Sequence, residues 1–173
     1  IREGRVLPSG FCTEVGVTEF RLKHVTEVDF LGGGVCSYRK KIFREFGFTD
    51  KYRDYAFGED KDFSYRVSKK YKLVVNPDAK AFHYKSPEMR PSKRKNGQKF
   101  VMGKYLIFRN LLEKRWWNWI LFYYALSGYL LMRFLIALVS FDRSEWERIA
   151  GIFEAIKNIW NGDVLIYDRT GNN

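Results

Sequence analysis

Histidine and cysteine are scarce in this chain of 173 residues, two of each. Cys12 and Cys36 have no metal-ligand spacing and outline no disulfide framework, so a reducing compartment is expected. Acidic residues are in deficit as well: 20 against 31 lysines and arginines, a net charge of +11. No recognised nucleic-acid motif accompanies that surplus, and the basic residues scatter over several segments, which argues against a nucleic-acid partner. Anionic head groups and the phosphates of an activated substrate are the polyanions left for it to meet. The chain begins at Ile1 with neither Met nor signal peptide, from which a processed chain or a piece of a longer one is expected. Disorder is excluded by 46% hydrophobic residues beside 29% charged ones. The length suits one domain of ordinary size.

What is present divides in two. Residues 1–115 are mixed and charged, and the stretch after Arg115 is strongly apolar. Pro8-Ser9-Gly10 reads as a turn, and Phe20, Leu22 and, past Lys23-His24, Val25 point to strand alternation. Val28 to Leu31 runs into Gly32-Gly33-Gly34, where backbone without side chains lets another group approach closely. A helix is predicted over Ser37 to Phe46, with Ile42, Phe43 and Phe46 on one face and Gly47 to end it. After an aromatic loop, a second helix begins near Gly58, and Phe63, Val67 and Tyr71 turn toward the core. Leu73-Val74-Val75 reads as a strand stopped by Asn76-Pro77, and Ala79 to Tyr84 as another. Helix alternates with strand, so the expected class is α/β.

Residues 85–99 are basic and carry Pro87, Pro91 and Gly97, which predicts a mobile loop; a helix follows over Phe100 to Lys114. From Trp116 to Phe141 only Arg133 is charged. A bilayer core requires roughly 20 apolar residues, and tryptophans at the entrance suit the head-group layer. Membrane contact is expected, with a full span, a helical hairpin and a helix lying in the interface all left open. Ser144 and Glu147 make a capping-box pattern for a last helix. Its stripe of Trp146, Ile149, Phe153, Ile156 and Trp160 suits packing on the preceding domain or lying along a membrane.

The chemistry gathers in Phe57-Gly58-Glu59-Asp60-Lys61-Asp62. Acidic residues at a helix start complement its dipole, and Asp62 can pair with Arg66 one turn on. A carboxylate at the mouth of a cleft can also take the proton from an attacking hydroxyl. Asp60-Lys61-Asp62 is formally an Asp-x-Asp, a pattern that holds a divalent metal when it ends a buried strand. Here it opens a helix, which favours the role of acid or base over that of metal ligand.

In order and spacing, these features resemble the C-terminal half of family 2 glycosyltransferases with the GT-A fold. The passage from Val28 to Arg39 is similar to the family's glycine-rich strand-to-helix stretch. Phe57 to Asp62 is similar to its Glu-Asp motif, with Arg66 following. Asn76-Pro77 through Ala81 to His83 resembles its strand ending in histidine, and Tyr105 to Asn110 the segment before its hydrophobic region.

The resemblance implies an acceptor-side half of a GT-A-like domain over 1–99, a helical membrane-associated segment over 100–143 and an amphipathic helix and tail over 144–173. By it, Asp60 is the catalytic base, with Glu59 orienting it or binding acceptor. Gly32, Gly33, Gly34 and Asp62 line the acceptor side. His83 lies near the diphosphate or as a ligand of the metal, Mg or Mn, and Arg90 belongs to a basic loop near the phosphates.

The implied activity is inverting transfer from a nucleotide-sugar donor to a saccharide or lipid-linked acceptor, in cell-surface polysaccharide or glycolipid synthesis, with the catalytic part cytoplasmic. The nucleotide-binding half and its Asp-x-Asp are not in these residues, so the chain alone is expected to be inactive and to need that half or a partner subunit. Two other readings stand beside this one. One is a basic membrane- or nucleic-acid-binding module without chemistry, and the other is a membrane scaffold for a separate catalytic subunit.

Overall fold

A computed structural model describes residues 3–13, 22–49, 52, 57–82, 91–112 and 115–163. Its first part is a small mixed unit. Strand β1 (Thr26–Val28) pairs antiparallel with β2 (Leu73–Val75), Thr26 opposite Val75 and Val28 opposite Leu73. Between them in sequence lie α1 (Lys40–Glu45) and α2 (Glu59–Ser68). Val28, Ile42, Phe63, Val67 and Leu73 form one core, with Tyr71 and Phe46 at its rim. The four-residue recurrence of Phe63, Val67 and Tyr71 therefore faces inward as predicted. Phe43 does not: it stays half exposed while stacking on Phe63. Helix α1 is shorter than predicted, starting at Lys40 and closing at Phe46, whose N–H reaches Ile42 O at 2.8 Å.

The second part is three helices: α3 (Lys93–Leu111), α4 (Trp116–Ser140) and α5 (Arg143–Trp160). Two expectations are corrected here. Residues 93–99 are helical rather than loop, because Ser92 caps the helix by accepting from the Lys95 N–H. Residues 79–82 pair with no strand among the described residues; the rest of the predicted strand, with His83, lies outside them. Helix α3 thus runs through the predicted division at 99/100.

Helix α3 is central, and every residue from Val101 to Phe108 is buried. It meets its neighbours through glycines. A Cβ at Gly97 would lie 2.2 Å from Arg148 O, and one at Gly151 of α5 would lie 1.9 Å from Arg94 O. A Cβ at Gly103 would lie 2.0 Å from Phe57 O, so the chain entering α2 rests directly on α3. The first and second parts are joined at that contact.

Helix α4 covers only a narrow stripe of itself, burying Asn118, Phe122, Leu126 and Ala137. Asn118 accepts from the Arg115 N–H and donates to Pro8 O at 3.1 Å. Phe122 stacks on Phe108, and Tyr129 on Phe100. By length and composition α4 is able to cross a membrane. It ends at Phe141, a non-glycine residue in the left-handed region with φ of 52°.

The cap of α5 is Asp142, which accepts from the Ser144 N–H and from the Ser144 hydroxyl; the predicted box of Ser144 and Glu147 is not used. The buried face of α5 is Ile149, Ile152 and Ala155, with Gly151 against α3, whereas Phe153 and Trp160 of the predicted stripe are exposed. Glu145, also buried, sits between two cations, with Oε2 3.4 Å from Arg133 Nη1 and 3.2 Å from Arg148 Nε. Its single charge answers the lone charge of α4. Helix α5 therefore packs on the rest of the molecule, one of the two roles its pattern allowed.

Candidate functional site

Helix α2 opens with Gly58 as N-cap at φ of 133°, a conformation that L side chains rarely adopt. Glu59, Asp60 and Asp62 then occupy the first turn, where free N–H groups favour negative charge. The three carboxylates have three different surroundings.

Asp60 is half-buried and joined to the glycine run. The Gly33 N–H donates to its Oδ2 at 2.6 Å and the Lys61 N–H to its Oδ1 at 2.8 Å. A side chain at Gly33 would press on it, since a Cβ there would lie 3.2 Å from Asp60 Cβ. Each carboxylate oxygen keeps a lone pair beyond the one these bonds use. The glycines 32–34 are exposed, so this corner is open to solvent.

The clamp that holds the two motifs together is Ser64, which sequence reasoning missed. Its hydroxyl donates to Asp60 O at 2.6 Å and accepts from the Leu31 N–H at 3.0 Å, and the residue is fully buried. A serine one turn after Asp60, beside the inward-facing Phe63 and Val67, was the available signal. Around the same point, burial pushes the Tyr38 phenol up to about 12, with the charges of Cys36 and Asp60 adding to it. The Tyr38 hydroxyl therefore stays protonated beside the site.

Glu59 is exposed at the helix start. Loss of hydration, with the neighbouring Asp60 charge adding, raises its carboxyl above the usual range. A raised native value means the folded chain binds this proton more tightly than the unfolded one. That advantage is complete below the ordinary carboxylate pKa and is lost as pH rises through the raised value. Glu59→Gln removes the loss. The variant should match the parent at low pH and melt progressively higher than it as pH rises across the carboxylate range; a difference that shrinks or reverses would contradict the assignment.

Asp62 is buried and turned to structural use. Its Oδ1 meets Arg66 Nε at 2.8 Å and its Oδ2 accepts from Tyr52 Oη at 3.3 Å, while Arg66 also donates to Gly47 O. It pairs inside the helix face rather than lining an acceptor surface, which corrects the expectation for this residue. The formal Asp-x-Asp therefore does not present two carboxylates together. Among the described residues no group of three His, Cys, Asp or Glu side chains could hold a metal ion. His83 and Arg90 lie outside the described residues. A cavity of about 210 Å³ sits at the other end of α2, lined by Glu27, Ser68, Lys70 and Leu73 among others, and does not include Asp60.

Compared with family models, curated proteins and solved structures, the chain matches none.

Proposed function

We propose that the chain is the acceptor side of an inverting glycosyltransferase of the family 2 type, the C-terminal half of a GT-A-like domain with a membrane-attached tail. The observation that supports it most is the Gly33 N–H···Asp60 hydrogen bond, which unites two motifs 27 residues apart in one open corner. In this reading an acceptor hydroxyl lies over Gly32–Gly34 and gives its proton to a free lone pair of Asp60. Its oxygen bonds to the anomeric carbon from the face opposite the leaving group. The carbon–oxygen bond to the diphosphate breaks, and the electron pair departs with the nucleoside diphosphate.

Glu59, exposed beside Asp60, is placed to hold the acceptor sugar. Asp62 and Arg66 fix the helix that carries both. The donor sugar nucleotide binds on another segment or subunit, and the catalytic part faces the cytoplasm, where nucleotide sugars are made. Among the described residues no metal site is formed, and His83 lies outside them.

The test uses membranes from cells expressing the complete reading frame that contains this chain, supplied with radiolabelled nucleotide sugars. Label should pass into lipid-extractable or polymeric saccharide. Equal incorporation by the parent and by Asp60→Asn would defeat the proposal.

A further inference from the structure

Helix α4 has the length of a membrane span, but its surroundings do not suit one. Its covered stripe is occupied along almost the whole helix. Asn118 meets Pro8, Phe122 meets Phe11 and Phe108, Tyr129 meets Phe100, and Arg133 meets Glu145. A transbilayer α4 would draw these partners into hydrocarbon with it, including the buried Lys104 and Glu145 and the partly buried Arg148 that pairs with Glu145. Burying such charge in lipid is costly.

The remaining surface of α4 is apolar and open. Trp116, Tyr124, Leu131, Leu135 and Val139 are all more than half exposed. No acidic residue lies between Trp116 and Phe141, and the exposed cations Arg115 and Arg143 flank the two ends. At α4's far end, Trp146 of α5 packs edge-on against Phe134 and is itself partly exposed. One apolar strip, with a cation near each end and the exposed Asp142 beside Arg143, thus lies along one side of a polar body.

We propose that α4 lies in the plane of an anionic lipid leaflet as a monotopic attachment. Its open face sinks into the head-group and upper acyl layer, to a depth of about 5–10 Å. Arg115 and Arg143 reach the phosphates of one and the same leaflet, and the net charge of +11 strengthens that attraction. The inference stands on the packing of α4 and does not depend on the transferase reading.

The experiment uses the full chain with vesicles of phosphatidylcholine alone or with a third of phosphatidylglycerol. Flotation should depend on the anionic lipid and fall several-fold at high salt. Gly128, at the middle of α4 with nothing near a side chain placed there, is changed to cysteine in a background with Cys12 and Cys36 replaced by serine. A fluorophore on it should be quenched more by nitroxides near the head group than by nitroxides at the chain ends.

Sidedness gives a separate reading in sealed membrane vesicles from expressing cells. Trp116→Cys and Phe141→Cys should react with an impermeant thiol reagent from the same face. Stronger quenching by the deep nitroxides, labelling from opposite faces, or a chain that ignores both kinds of vesicle would each overturn the proposal.

Discussion

Asp60→Asn lowers sugar transfer by the complete enzyme by roughly 10²–10⁴-fold, the range that a positioned general base contributes, and leaves the fold standing. The amide oxygen can still accept from the Gly33 N–H, so the contact between the glycine run and α2 survives. What is lost is the capacity to take a proton, together with the acceptor for the Lys61 N–H, which the amide nitrogen now faces. The loss should therefore fall on kcat with little change in KM, because acceptor binding over Gly32–Gly34 does not require the charge. Initial rates with membranes of the parent and the variant, together with melting curves of both chains, measure the two parts. A variant that transfers sugar within a few-fold of the parent would remove Asp60 from the mechanism; one that also melts much lower would make its role structural.

Gly151→Ala should be among the most damaging small substitutions in the chain. The new Cβ would lie 1.9 Å from Arg94 O, where an ordinary contact is about 3.5 Å, so two helix backbones have to part. Overpacking of this kind costs roughly 1–3 kcal/mol, occasionally more, or a fall in melting temperature of about 2–4 °C per kcal/mol at this size. Gly97→Ala strains the same crossing from the other helix, against Arg148 O. Because both changes are relieved by one separation of α3 from α5, the double variant should lose less than the two single losses added. Gly128→Ala is the control. Nothing lies near its Cβ, and alanine in a helix interior is favoured by roughly 0.5–1 kcal/mol. Thermal unfolding of the four variants beside the parent decides the matter, and a Gly151→Ala chain as stable as the parent would mean that α3 and α5 do not touch as described.

The elements with strong local signals were legible. The start of α2 after Gly58, the strand Leu73–Val75 and the extent of α4 all follow from turn residues and apolar period. Two of the errors share one physical source, which is close packing through small residues. Gly97 beside Lys93, Arg94 and Lys95 looked like a loop, whereas the glycine is there because Arg148 O leaves no room for a side chain. In α5 the large residues Phe153 and Trp160 drew attention to the wrong face, since the tightly packed face is made of Gly151, Ile152 and Ala155. The candidate site was half legible. Glu59, Asp60 and the glycines could be named, but their contact depends on Ser64 and on the pairing of β1 with β2, which no local pattern announces. Asp62 looked equivalent to Asp60 in sequence; burial and Arg66 set it apart.

The elbow at Phe141 sets two demands against each other. With φ of 52° a glycine or asparagine would sit there with less strain, yet the position carries an aromatic ring that is 90% exposed. A search for heat-resistant variants in plain buffer would reward its replacement. The same step would discard a ring at the end of the lipid-facing strip, so tolerance to heat and hold on the membrane would be traded at a single residue.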